Sequence, residues 1–433
     1  MPQSESAAVR PQAEGQIMER QKSAHRLVLG GSFIMLLSMV LVNLFNFAYN
    51  VFMARVLGPA EFGHINAAIA ALLIASCVSL AFQLVCAKFV ARNTTSGTRA
   101  WVFRLLHRKS WMASLALGAG LFLAQRPVSA YLNLPDPWIM GVLAIGIAVY
   151  APLGVKRGAM QGLCLFRRLG GNFVVEAFTR FVAGVALVIM GYGALGAVGA
   201  ISAAVLAAYL LSPSPRQLRV QPEAGEPPSF AEALQAIVFF VGQVIISNTD
   251  ILLVKHFFAA EPAGLYAAVA QVGRLLYFIC WFGVVNVMFP VTAASASARD
   301  HRRAHGLLLP LVLVLAISGL FVLGVALFPH LIMGLVFGAK FTQTEGLLAL
   351  YAGATALYSL SVVLIAYEMS RRIANTGWLQ LLFAGAMVLV IEMFHATLRE
   401  VMMVRIVLML ALLALVSFPF LRRQARALAV EAA

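Results

Sequence analysis

Apolar residues run on for about 20 positions at a time along most of this chain, and polar residues are gathered into short stretches between those runs. About 20 apolar residues of helix are needed to cross the ~30 Å hydrocarbon layer of a bilayer. A strand barrel would instead alternate residue by residue in short segments. The runs therefore predict helices at 27–53, 65–87, 109–128, 138–155, 172–191, 194–212, 232–257, 264–290, 306–328, 346–368, 377–394 and 400–421. The first is far longer than the apolar part of a cleaved signal peptide, so it is expected to remain as helix 1. The fold class expected is an all-α integral membrane protein of about twelve transmembrane helices.

Composition rules out the soluble alternative. The 433 residues are 61% hydrophobic and 11% charged, with mean hydropathy +0.89, whereas a soluble domain is about one quarter charged. The net charge of +15 does not point to nucleic acid, because the 32 Lys and Arg lie in short clusters between apolar runs. They report topology instead. With alternating spans, 24 basic residues fall on the side of the N-terminus, in clusters such as Arg99, Arg104, Arg108 and Lys109, or Lys156, Arg157, Arg167 and Arg168. Six fall on the other side: Arg55, Arg126, Lys255, Lys340, Arg399 and Arg405. The positive-inside rule makes the rich side, and both termini, cytoplasmic. Cys77, Cys86, Cys164 and Cys280 sit in apolar surroundings without C-x-x-C spacing and read as inert thiols.

The chain also divides. Residues 212–229 read S-P-S-P-R-Q-L-R-V-Q-P-E-A-G-E-P-P-S, a linker composition. The expected organisation is a cytoplasmic segment at 1–26, an N-lobe of helices 1–6 at 27–212, a cytoplasmic linker at 213–231, a C-lobe of helices 7–12 at 232–421 and a cytoplasmic tail at 422–433. At an offset of 200, residues 55–70 (R-V-L-G-P-A-E-F-G-H-I-N-A-A-I-A) match residues 255–270 (K-H-F-F-A-A-E-P-A-G-L-Y-A-A-V-A). Six helices per lobe give both lobes one orientation, hence a parallel pseudo-two-fold repeat about the membrane normal, an architecture suited to a rocking transporter.

Polar groups within the spans are the candidates for function, since ionisable side chains in hydrocarbon must find a partner or a water-filled cavity. Asn43, Asn46 and Asn50 form one stripe on helix 1, and Gln243, Ser247 and Asp250 form another on helix 7. Interhelical hydrogen bonding is the plain alternative for both stripes. Asp250 and Arg274 should lie at comparable depth and could pair, as could Glu176 and Arg180 at i, i+4. Asp250 and Glu176 are the candidates for ion coupling; static ion pairs are the competing reading. A guanidinium binds a phosphate through two parallel hydrogen bonds, which a lysine cannot do. Gln83, Lys88, Glu368 and Arg371 sit near the cytoplasmic ends, where they could line an entrance but read first as interfacial anchors.

No cofactor, catalytic residue or metal site is expected. The triplet Gly191, Gly193 and Gly196 has dinucleotide-fingerprint spacing, but it lies between two membrane helices with no strand before it. His301 and His305 have helical spacing and no third ligand.

Residues 54–63, A-R-V-L-G-P-A-E-F-G, resemble the hallmark after the first helix of polysaccharide and O-antigen flippases, the oligosaccharide branch of the multidrug/oligosaccharidyl-lipid/polysaccharide exporter superfamily. Residues 161–168 (Q-G-L-C-L-F-R-R) with Asn172, residues 248–255 (N-T-D-I-L-L-V-K), residues 263–268 (A-G-L-Y-A-A) and Phe289-Pro290 resemble further blocks of that pattern, in order. The resemblance implies a MATE-like fold and a multi-pass protein of the bacterial inner membrane. It also implies translocation of undecaprenyl-pyrophosphate-linked oligosaccharide by alternating access, for lipopolysaccharide or exopolysaccharide synthesis, beside a polymerase and other assembly proteins. The family's cavity is basic and polar, so Arg180 and Arg274 become the candidates for pyrophosphate or sugar, with Asn43, Asn46, Asn50, Gln243 and Asp250 around them. The alternatives are a multidrug/cation antiporter of the same superfamily, which calls for intramembrane carboxylates and little positive charge, and a non-transporting subunit of a polysaccharide assembly complex.

Overall fold

The computed structural model describes residues 6–281, 305–344, 346–371 and 376–431. Among these there is no strand. The helices are α1 (Ser6–Arg92), α2 (Ser96–Leu123), α3 (Gln125–Tyr131), α4 (Trp138–Gly162), α5 (Phe166–Ile189), α6 (Gly193–Leu210), α7 (Leu234–Phe257), α8 (Ala260–Cys280), α9 (His305–Leu327), α10 (Pro329–Phe337), α11 (Leu347–Arg371), α12 (Leu379–Met393) and α13 (Leu398–Glu431). Nine of the described helices are long and apolar enough to cross a membrane.

The first of the nine, Phe33–Arg92, has 60 residues, about 90 Å of helix and three times the hydrocarbon thickness. It makes two passes because Gly58 breaks it, with φ 82° and ψ 179°. Only glycine takes that conformation without strain, and Pro59 further disfavours helix at the residue before it. The sequence predicts a connection of about eleven residues here; the structure replaces it with a one-residue corner between two limbs.

The second departure is α2, which begins at Ser96 rather than 109. Thr95 caps it, its hydroxyl accepting from the Thr98 amide at 3.3 Å. Val102, Phe103, Leu106, Ser110 and Ser114 form its buried stripe, while Arg104, Arg108 and Lys109 lie on the exposed face. Basic residues taken as loop thus sit on an amphipathic first half that hydropathy alone hides. With α2, the 15-residue apolar helix α12 and the second pass of α1, the described residues make twelve passes in two sets of six, an all-α membrane fold. The short helices α3 and α10, which hydropathy did not predict, each follow the third pass of a half. Residues beyond 281 of the expected helix 264–290, like His301, lie outside the described residues.

Glycines decide the tightest packing. Gly154, Gly158 and Gly162 line one face of α4, and a Cβ there would meet Ser79 Oγ at 2.3 Å, the Gln83 carbonyl at 2.4 Å and the Ala87 carbonyl at 2.6 Å. The α4 backbone therefore lies directly on the second limb of α1, which small residues at four-residue spacing permit. The first limb packs on α5 in the same way: Gly184 abuts Tyr49 and Met53, and Gly170 abuts Ser38.

One apolar core joins the two halves, containing Tyr49 and Phe62 together with Tyr266, Phe337 and Tyr351. At the Gly58 corner the repeated segments lie back to back. A Cβ on Gly264 would fall 1.7 Å from the Pro59 carbonyl, and one on Gly63 would fall 3.0 Å from the Ala260 carbonyl. The segment joining the halves carries only 3-10 turns, yet it is anchored: Leu218 is buried with α1 and α2 residues, Arg104 Nη2 donates to the Val220 carbonyl at 3.0 Å, and Lys88 pairs with Glu232 at 3.1 Å.

Candidate functional site

Each half ties one buried carboxylate to arginine; a further buried carboxylate of the C-half, Glu368 on α11, expected as an interfacial anchor, accepts from the Thr376 hydroxyl. In the N-half, Glu176 on α5 sits between Arg157 on α4 and Arg180 one turn further along α5. Arg157 Nη2 is 2.5 Å from Glu176 Oε2, and Arg180 Nη2 is 3.0 Å from Oε1. Arg157 Nε also donates to Asn172 Oδ1 at 2.7 Å, and Asn172 Nδ2 donates to the Ala208 carbonyl at 2.7 Å. Arg180 Nη1 donates to Asn46 Oδ1 at 3.2 Å, bridging α5 to the first limb of α1.

The C-half is built from other helices. Asp250 on α7, fully buried, accepts through Oδ2 from the Tyr266 hydroxyl at 2.8 Å and from Arg405 on α13. The Arg405 guanidinium also lies over the Tyr351 ring, 4.2 Å from its centroid, a cation–π contact favoured away from water. Arg274 on α8 donates instead to the Ser247 carbonyl. The expected Asp250–Arg274 pair is therefore corrected to Asp250–Arg405. Arg405 was counted among residues at a helix end, since its predicted span opens at 400; α13 opens at Leu398 and carries Arg405 two turns into an apolar run.

Other expected residues are placed as follows. Asn43 and Asn50 each donate to the carbonyl four residues back, Met39 and Asn46, at 2.8 Å, so both turn onto their own helix. Asn50 Oδ1 is buried without a hydrogen-bond partner, as are Gln243 Nε2 and the Nε atoms of Arg180 and Arg274. Lys156 and Arg157, counted in a cytoplasmic cluster, lie within α4 and are buried. Lys156 Nζ donates to the Tyr209 and Ser212 carbonyls at 2.9 and 2.8 Å, capping the end of α6. The charge asymmetry survives, because each side loses two residues: Lys156 and Arg157 from the rich side, Lys255 and Arg405 from the poor one. Gly191 and Gly193, with φ 92° and 52°, form the turn into α6, whose Ala194 amide donates to Glu61 Oε2 at 2.8 Å. This capped turn accounts for the fingerprint spacing. Among the described residues, no group of three His, Cys, Asp or Glu is placed to hold a metal.

Sequence reasoning missed Arg157, Tyr266 and Arg405. A lone arginine within M-M-V-R-I-V-L-M-L was a usable signal for Arg405. Arg157 had none, because it ends an apolar run like any anchoring residue.

Solved structures share this fold. One described as the inward-facing conformation of a multidrug resistance MATE family transporter of the MOP superfamily aligns with TM-score 0.74 at 13% identity, over 90% of this chain and 96% of its own. The outward-facing conformation of a transporter so described gives 0.61 at 16%, over 92% and 96%. A MOP superfamily transporter from Pyrococcus furiosus, reported with reverse polarity of its binding pocket suggesting a different function, gives 0.62 at 15%, also over 92% and 96%. No curated protein matches the sequence. The model for the family described as polysaccharide biosynthesis protein matches residues 52–345, most of the chain. A helical membrane protein of the MATE fold, matched over that length, belongs to the polysaccharide biosynthesis protein family.

Proposed function

We propose that this transporter flips undecaprenyl-pyrophosphate-linked oligosaccharide across the bacterial inner membrane by alternating access, with both termini cytoplasmic. The observation that carries this reading is the charge of the two clusters. In the N-half cluster Arg157 and Arg180 outnumber their shared partner Glu176 by one positive charge, and in the C-half cluster Arg274 lies apart from the Asp250–Arg405 pair and bonds a carbonyl instead. Arg180 and Arg274 are half-buried where Arg157 and Arg405 are buried. A pyrophosphate carries at least two negative charges and cannot cross hydrocarbon unshielded. Two planar donors with buried, unpartnered Nε atoms suit its oxygens. The polar edges of Asn46 and Gln243 lie on the equivalent helices α1 and α7 and would meet sugar hydroxyls.

A lipophilic-cation antiporter fits less well. Glu176 and Asp250 are already bound by arginine, so neither presents free negative charge, and ion coupling through either requires a rearrangement that frees it. An assembly subunit without transport would not need surplus charge in the membrane interior.

The test is export of lipid-linked glycan in cells carrying Arg180→Ala, Arg180→Lys, Arg274→Ala or Arg274→Lys at matched expression. Each Ala variant is expected to lower export at least about tenfold, as loss of a charge-assisted contact implies, with Lys restoring part of it. Wild-type export in all four would rule out the phosphate-contact assignment. Cytoplasm-facing lipid-linked glycan should accumulate on deletion of the protein.

A further inference from the structure

The Gly58 end of the molecule, opposite the basic-rich loops, is closed by a pair of contacts that repeat across the pseudo-two-fold axis. Arg55 lies three residues before Gly58 on the first limb of α1. Its Nε donates to the Val336 carbonyl at 2.9 Å and its Nη2 to the Leu335 carbonyl, both in the last turn of α10 in the other half. Lys255 is its partner at the offset of 200. Its Nζ donates to the Asn133 carbonyl at 3.0 Å, just past the last turn of α3 in the N-half. Asn133, at φ 47°, returns a bond from Nδ2 to the His256 carbonyl at 2.6 Å, and the His256 ring stacks on Tyr131 with centroids 3.9 Å apart. Each half thus extends one cation into the C-terminal end of the other half's short helix.

Helix C-termini expose carbonyls without intrahelical partners and carry partial negative charge, so they are natural seats for Arg and Lys. Lys255 is at the C-terminal end of α7 and would ordinarily serve its own helix; it is spent on the opposite half instead. Neither cation has a carboxylate partner among the described residues. Beneath the pair, Phe62 packs on Phe337 and Phe341, with centroids 5.8 Å apart, and Gly63 and Gly264 allow the two backbones to touch.

We propose that Arg55 and Lys255 form a two-fold-related latch that holds this end of the transporter shut, and that both contacts break when it opens. The residues bonded by the latch belong to different halves, so it stabilises the closed arrangement and contributes nothing to an open one. That differential is the requirement for a device that sets the ratio of two conformations. By the positive-inside reading this is the outer face, and the latch then favours the state that receives substrate from the cytoplasm.

The test is pulsed electron spin resonance on the full chain in lipid nanodiscs. Spin labels go on Pro135→Cys and Glu261→Cys, one in each half at this end, with the four native cysteines replaced by serine. Arg55→Gln and Lys255→Gln are each expected to raise the ratio of long to short inter-label distances about tenfold, with the double variant exceeding either. A parent-like distribution in the double variant, at whatever thermal stability, would overturn the latch. If the double variant is recovered unfolded, Arg55→Lys decides. It keeps the charge but loses the fork that spans Leu335 and Val336, so it must show a long-distance component above the parent, and a parent-like distribution overturns the proposal. The readout needs no substrate and is independent of the proposed cargo.

Discussion

Asp250 and Arg405 stand 155 positions apart in the chain and meet as a buried ion pair between α7 and α13. Tyr266 completes the carboxylate's Oδ2 from α8, and Tyr351 stacks on the guanidinium from α11. Four helices of the C-half are therefore tied at one point, at a depth where a lone charge has no solvent to turn to.

Removing one member of that pair should cost more than removing both. Arg405→Gln or Asp250→Asn alone is expected to destabilise by about 3–5 kcal/mol, because the remaining charge is left unpaired in a buried site. The double variant should recover most of the loss. Thermal unfolding of the purified protein in detergent checks this, and a double variant no better than the worse single would refute it.

Gly58→Ala is expected to destabilise by about 1–3 kcal/mol although the new methyl would touch nothing within 4 Å. The cost is backbone strain at φ 82°, ψ 179° rather than a clash. An Ala variant as stable as the parent would show that the corner relaxes freely.

At Gly158 the argument reverses. Its φ is ordinary, but a Cβ would meet the Gln83 carbonyl at 2.4 Å, a backbone atom that cannot swing aside. Gly158→Val should lower stability by at least about 1–3 kcal/mol through overpacking. Gly171, with open space around it, serves as control, where Ala should be neutral or slightly stabilising. Folded yield and apparent melting temperature of the two variants measure the difference.

Glu61→Ala removes the acceptor of the Ala194 amide at the start of α6. A loss of about 1 kcal/mol is expected, with Gln retaining part of the bond. Hydrogen exchange of the first turn of α6 should rise in the Ala variant and less in the Gln variant; equal exchange in all three would discount the cap.

Much of the architecture was legible in the chain. Membrane spans are read from local length and apolarity, so twelve passes, the two halves and the offset repeat between Arg55 and Lys255 followed from sequence. The exceptions have a local cause. A basic amphipathic start hid the first half of α2, and a one-residue corner at Gly58 looked like a loop because hydropathy does not register φ. Glu176 and Arg180 could be paired on paper because they share one helix turn.

What the sequence determined, then, is what the bilayer itself selects: where the chain crosses, which loops carry positive charge, and which ionisable groups are caught between. What only the tertiary structure decided is which arginine meets which carboxylate. Arg405 rather than Arg274 takes Asp250 because helix rotation and relative depth place long side chains, and neither is encoded in spacing along one segment. The same rotation leaves Arg180 and Arg274 as the half-buried cations, and it sets Arg55 and Lys255 against the short helices of opposite halves, where only the assembled fold offers them carbonyls.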